Sequence, residues 1–373
     1  MADIFRYATI TLAAHYGSGA ESGLHNSRSE SAVRYVPEPK FKIRRSNGQE
    51  ALLLSSDSGG WKIRDPIFNG SLATRGWCYQ ENVVSPRVLH FTKSQLFWDC
   101  IHTSQTEDGM ERTKHNFDDF KHYLWTLREG QRGAMQDSWY NDAIGKQVSR
   151  RSFTRPTDKL IAIAGIAKVV QSAYPMRYYA GLWEDGIAPA LCWHACDDRG
   201  KNPTYCAPSW SWASQLGSIK WDFDLSSYDK QVVYSNILEI RIDTNNGDEF
   251  GLILDASITT EAHVLDGNSA LGVRVYYTGK AGAQVRSGDH RADVTWDDPN
   301  YDRLNLRICL ICGKPPVPYC DAMLFSLLLK ESDDGSNCFH RIGRMKESFW
   351  CAADFYRSFQ AFKKVQKQII IIK

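Results

Sequence analysis

Arg75-Gly76-Trp77-Cys78-Tyr79-Gln80-Glu81, followed by Ser85-Pro86-Arg87-Val88-Leu89-His90-Phe91 and then by Gln95-Leu96-Phe97-Trp98-Asp99-Cys100, is the stretch from which the fold is read. The spacing of Trp77, Gln80 and Glu81 puts all three on one face of a helical turn that starts near Gly76. Pro86 disfavours helical geometry at Ser85 and ends the turn. Arg87 to Phe91 and Gln95 to Cys100 then read as two short strands joined by Thr92-Lys93-Ser94. In the second strand Leu96, Trp98 and Cys100 share one face, and Gln95, Phe97 and Asp99 take the other. Charged and amide side chains here stand among aromatics, and burying them is costly unless each finds a partner. Arg75, Gln80, Glu81 and Arg87 are therefore candidates for a buried ionic and hydrogen-bonded network.

Upstream of this unit, Ile4 to Ala8 suggests a short helix and Thr9 to Ala14 a β-branched strand. The stretch 18–34, rich in Gly, Ser and Asn, reads as a loop, and Lys40-Phe41-Lys42-Ile43-Arg44 as an exposed strand. Downstream, 107–150 reads as helical and polar, with Phe117, Phe120, Tyr123, Leu124 and Leu127 forming a core stripe. Asp158 to Val170 predicts a helix with a wide apolar face of Leu160, Ile161, Ile163, Ala164, Ile166 and Ala167 behind an acidic first turn. Ala188 to His194 is a shorter helix candidate.

From Val232 onward the pattern turns to strands: Ile237 to Ile242, Leu252 to Ile258, Gly272 to Tyr277, Leu306 to Ile311 and Met323 to Leu329. The terminal Ile369-Ile370-Ile371-Ile372 is expected to pair inside that sheet. The fold class is thus α+β or α/β, with a first region over 1–105, a helical region over 106–227 and a β-rich region over 228–373. A soft boundary falls near Ser227.

A chain of 373 residues with 43% hydrophobic content can bury a sizeable core. Its net charge of +2 argues against a nucleic-acid partner, and no basic run with interleaved aromatics is present. No stretch approaches the roughly 18 apolar residues of a membrane span, and the first residues lack the apolar core of a signal peptide. A cytoplasmic protein is expected, with most of its ten scattered cysteines as thiols.

The Arg75 to Glu81 run with Ser85-Pro86-Arg87 resembles the last signature block of the fungal heterokaryon-incompatibility (HET) domain. Met1-Ala2-Asp3-Ile4-Phe5-Arg6-Tyr7-Ala8 running into Thr9 to Ala14 resembles the segment before that block. Asp158-Lys159-Leu160, Tyr179-Ala180-Gly181-Leu182-Trp183 and Pro208-Ser209-Trp210-Ser211-Trp212-Ala213 resemble landmarks that follow the domain. The family's two opening blocks have no counterpart here, so the chain is expected to carry an N-terminally truncated, partial HET domain over 1–105. Strand edges left open by that loss would make it poorly soluble alone.

The resemblance implies fungal non-self recognition linked to programmed cell death, with a protein partner or self-association. HET domains have been likened to the TIR fold, a flavodoxin-like layout whose enzymatic members cleave the nicotinamide–ribose bond of NAD with a glutamate. Glu81 is then the candidate catalytic carboxylate beside an oxocarbenium-like centre. Trp77 would supply an aromatic wall, and NAD would be the substrate rather than a cofactor. The missing opening blocks favour the other outcome, an inactive chain that is a non-catalytic interaction or remnant protein, in which Arg75, Trp77, Gln80 and Arg87 serve binding or structure.

Other constellations have plainer explanations. Cys78 and Cys100 near His90 and His102 carry no local nucleophile signature. Cys309-Leu310-Ile311-Cys312, with Cys320, Cys338 and His340 downstream, looks like zinc spacing. On a regular strand, however, its two cysteines point to opposite faces, so no metal is expected. Trp210-Ser211-Trp212 reads as a strand whose tryptophans share a face, and Asp158-Lys159 as a helix start. No GxxxxGK[ST] loop occurs, and Gly17 to Gly23 is a weak match to a dinucleotide turn.

Overall fold

The computed structural model describes residues 1–17, 19–24, 41–44, 50–53, 67, 70–93, 95–107, 119–127, 132–222, 231–267, 276–277, 282–287, 290–298, 306–317, 321–333 and 336–373. Most of the loop expected over 18–34 lies outside the described residues, as do Phe117, the boundary near Ser227, Gly272 and Cys320. Helices and strands mix throughout, giving an α+β protein. The chain divides into two compact units, Met1–Trp125 and Thr126–Lys373.

In the first unit a short helix α1 (Ala2–Arg6) leads into β1 (Thr11–Ala14), and β2 (Phe41–Arg44) pairs antiparallel with β3 (Glu50–Leu53). The decisive stretch folds as its pattern predicts. Helix α2 (Trp77–Val84) runs from Gly76 to Ser85, where the backbone turns extended ahead of Pro86. It is followed by β4 (Arg87–Phe91), β5 (Leu96–Cys100) and β6 (Ser104–Thr106). These pair in the order β1, β4, β5, β6, with β1 parallel to β4 and the other pairs antiparallel. Val88, His90, Phe97 and Asp99 are all buried, as strict alternation along both strands requires. Helix α3 (Asp119–Trp125) buries Phe120 and Leu124 from the expected stripe.

The second unit opens with α4 (Arg132–Asp137), which continues into a π-helix over Ser138–Gln147 and a final 3-10 turn, Val148–Arg150. Helix α5 (Asp158–Ala173) buries Leu160, Ala162, Ile163, Ile166, Ala167 and Val170. A tight hairpin follows, β7 (Tyr178–Tyr179) and β8 (Leu182–Trp183). The helix expected over Ala188 to His194 is confined to α6 (Ile187–Ala190). His194 instead belongs to β9 (His194–Ala195), which pairs with β10 (Ile219–Lys220).

The remaining strands form one sheet: β11 (Val232–Val233), β12 (Asn236–Thr244), β13 (Ile253–Asp266), β14 (Tyr276–Tyr277), β15 (Gly282–Ser287), β16 (His290–Trp296), β17 (Leu306–Lys314), β18 (Ala322–Glu331), β19 (Cys338–Phe349) and β20 (Lys367–Ile372). Within it β13 pairs with β17, β17 with β18, β18 with β19, β19 with β20, and β20 again with β13. Five strands therefore close a circuit, which leaves their inner edges without open ends. The isoleucine run supplies the closing strand, with Ile370 and Ile372 fully buried.

Helix α7 (Ala352–Lys363) projects Phe355, Phe359 and Phe362 from one face. Phe355 and Phe362 join Trp296, Leu310, Leu324, Ile342 and Phe349 in the core, with Phe359 packed against it. Strands β15, β16 and β19 and helix α7 were not anticipated. In β19 the cause is visible: Arg341, Arg344 and Glu347 are buried charges and break any hydrophobic pattern.

Candidate functional site

Helix α2 is tied to the sheet by a small polar contact set. The Ser85 hydroxyl donates to the Glu81 carbonyl at 2.6 Å and lies 2.8 Å from the Thr11 hydroxyl of β1. The Trp125 indole donates to the Val83 carbonyl at 3.0 Å. On the helix face read from the sequence, Gln80 is buried while Trp77 and Glu81 are half-buried. Arg75 and Arg87 are exposed, and Arg87 reaches the Thr9 carbonyl at 3.5 Å. Both residues thus stand at the surface, while Gln80 is covered.

Among the described residues of this unit, buried titratable groups lie on β4, β5 and α3. His90 Nδ1 is 2.8 Å from His15 Nε2, and His90 Nε2 is 4.0 Å from Asp99 Oδ2. Lys121, on α3, donates to the same Asp99 oxygen at 2.9 Å. Burial pushes the His90 pKa below its ordinary value, and Asp99 offsets this only in part. Burial alone would raise the Asp99 carboxyl; the His90 ring and the Lys121 ammonium outweigh it and hold the carboxyl below its usual range.

Asp99 thus sits between the His90 ring and the Lys121 ammonium, with His15 on the other side of His90. Alternation in β4 and β5 already aimed His90 and Asp99 inward. Nothing local pointed to His15, which is 75 residues from His90, or to Lys121.

In the second unit three separated landmarks meet. The β7–β8 turn has Ala180 at φ 50° and Gly181 at φ 95°, the left-handed pair of a two-residue hairpin. Its carbonyls face inward: Ala180 accepts from the Ser211 hydroxyl at 2.6 Å, and Gly181 from the Trp212 and Trp139 indoles at 3.2 and 3.3 Å. Trp210-Ser211-Trp212 is not a strand. Ser211 caps a 3-10 turn, Trp212–Ser214, by accepting from the Ala213 amide, and both tryptophans are fully buried. Lys159, at the start of α5, donates to the Gln215 carbonyl at 2.5 Å, and its ammonium lies over the Trp212 ring. Burial lowers its pKa to about 8.

Beyond this cluster, Arg341 is completely buried against Asp297 at 3.0 Å. It donates to the Leu191 and Trp193 carbonyls, both at 2.5 Å, and stacks on the Trp193 ring. Arg344 pairs with Asp222 at 2.7 Å, and His194 Nε2 lies 3.7 Å from the same carboxylate. Burial and the nearby Arg344 push His194 down to about 3.

The expectation for Cys309 and Cys312 is corrected. A bulge between Leu310 and Cys312 sets Cys309 opposite Leu327 and Cys312 opposite Phe325, which returns both cysteines to one face. Cys312 Sγ lies 3.9 Å from Cys192 Sγ in the interior. Among the described residues no group of three or more His, Cys, Asp or Glu is arranged to hold a metal. Nor, among them, is any helix long and apolar enough to cross a membrane. Comparison with known protein families, with curated proteins and with solved structures finds no match to this chain.

Proposed function

We propose that this chain acts in the cytoplasm in fungal non-self recognition, as a HET-type protein linked to programmed cell death. The observation that carries this reading is convergence. The landmarks at Asp158-Lys159-Leu160, Tyr179 to Trp183 and Pro208 to Ala213, read from resemblance alone, meet where the Lys159 ammonium lies over the Trp212 ring and where Ser211 and Trp212 donate to the Ala180 and Gly181 carbonyls. Independent segments of one family pattern are expected to meet in this way. In this reading Glu81 is the working carboxylate. Cleavage of the nicotinamide–ribose bond of NAD by water would yield nicotinamide, ADP-ribose and a proton, with Glu81 facing the positive ribosyl centre and Trp77 stacking on a ring. The half-buried placement of both side chains on α2 is compatible with those roles.

The test is expression of the chain in a fungal host with cellular NAD measured. Depletion is expected with the wild type and its loss with Glu81→Gln, circular dichroism showing that both are folded. Undiminished NAD with folded wild-type protein would refute the catalytic part. A second reading, a non-catalytic interaction or remnant protein, draws on the tie from Glu81 through Ser85 to Thr11, which gives this turn a purely structural use. Retained cell death with Glu81→Gln would favour it.

A further inference from the structure

Strand β12 pairs with β13 along one side, and among the described residues no strand pairs with its other side. All nine of its residues are exposed or half-exposed, and Leu238 remains 49% exposed. An edge of this length presents a row of unpaired N–H and C=O groups, the template on which another strand adds. Register shifts next to Leu238 and Thr244 bound a regular run, Glu239-Ile240-Arg241-Ile242-Asp243. Ile240 and Ile242 lie opposite Ile258 and Ala256, on the buried side of β13, so Glu239, Arg241 and Asp243 take the outer side. Glu239 and Arg241 are already paired at 2.8 Å within the chain.

The charge order of this run selects its own partner. In an antiparallel pair of identical strands related by a two-fold axis normal to the sheet, opposed residues share a face, so the axis must pass through a residue position. Centred on Arg241, the register would oppose Arg241 to itself and Glu239 to Asp243, which is repulsive throughout. Centred on Ile240, it opposes Glu239 to Arg241 twice and Ile240 to itself; centred on Ile242, it would oppose Arg241 to Asp243 and leave Glu239 without a charged partner across the axis. We propose that β12 is a self-pairing edge, on which a second copy of this chain adds antiparallel about Ile240 and the two sheets become one. One strand pair buries less than a standard interface, so the dimer is expected to be concentration-dependent. This inference stands apart from the proposed enzymatic role and needs no NAD.

Sedimentation equilibrium of the full chain over a concentration series tests it. The wild type is expected to dimerise, and Glu239→Arg and Arg241→Glu, both on an exposed face, are each expected to stay monomeric. An equimolar mixture of the two variants should form a heterodimer, because Glu then meets Arg at both positions across the axis. The intrachain pair is broken in both variants, so only pairing between chains accounts for that rescue. In the wild type, hydrogen exchange at the Glu239 to Asp243 amides should also slow as concentration rises. A wild type that stays monomeric, single variants that still dimerise, or a mixture that stays monomeric would each overturn the proposal.

Discussion

Lys159 shows how much a single residue can conceal. Its place after Asp158 marks it as an ordinary first-turn lysine, yet its ammonium is buried between the Gln215 carbonyl and the Trp212 ring. The unfolded chain holds this proton to about pH 10.5, whereas the folded chain releases it near pH 8. Between those values the unfolded state binds more protons, so the contribution of Lys159 to stability rises with pH and is smallest below pH 8. The stability of the wild type relative to Lys159→Met should therefore increase by on the order of 3 kcal/mol from pH 8 to 10.5. Denaturant unfolding at several pH values checks this, and a flat difference would contradict it. The comparison must be between chains, because buried thiols such as Cys309, held up at about 12, act in the opposite direction above pH 9.

At the scale of elements, the β7–β8 hairpin shows a local motif whose purpose is tertiary. Alanine at Gly181 would need φ 95°, and its Cβ would collide with the Trp212 indole nitrogen. Gly181→Ala is expected to cost about 2–5 kcal/mol, combining backbone strain with overpacking. Gly247 is the control: its φ is 72° and nothing lies within 4 Å of the place an alanine methyl would take, so Gly247→Ala should cost only about 1–2 kcal/mol. Thermal unfolding of both variants gives the comparison, and equal losses would show that the Trp212 contact is irrelevant. The geometry of the tryptophan pair was not legible, because a serine between two tryptophans fits a strand as well as a capped turn.

At the scale of the molecule, closure of the five-strand circuit depends on the last residues of the chain. Strand β20 lies between β13 and β19, and the Ser209 hydroxyl and amide both donate to the terminal Lys373 carbonyl. Removing residues 367–373 would expose the edges of β13 and β19 and the core side of β13. The truncated chain is expected to lose cooperative unfolding and to aggregate through those edges. Light scattering together with thermal denaturation tests this; a monodisperse product with the midpoint of the full chain would rule it out.

Determinants that act over a few residues were open to the sequence. Pro86 stops α2, alternation orients β4 and β5, the apolar face of α5 is periodic, and the isoleucine run is a strand. What it left open depends on register between distant segments. The bulge in β17 reverses the parity on which the cysteine argument stood, and it arises from how β17 meets β18. The row from His15 to Lys121 exists because β1 lies parallel to β4 and α3 reaches Asp99. Likewise, β19 can carry buried arginines only because Asp297, Asp222 and free backbone carbonyls arrive from other parts of the chain to satisfy them. Short-range sterics and periodicity decided the elements; the pairing of groups far apart in the chain, where burial makes each polar partner obligatory, was decided by the tertiary structure alone.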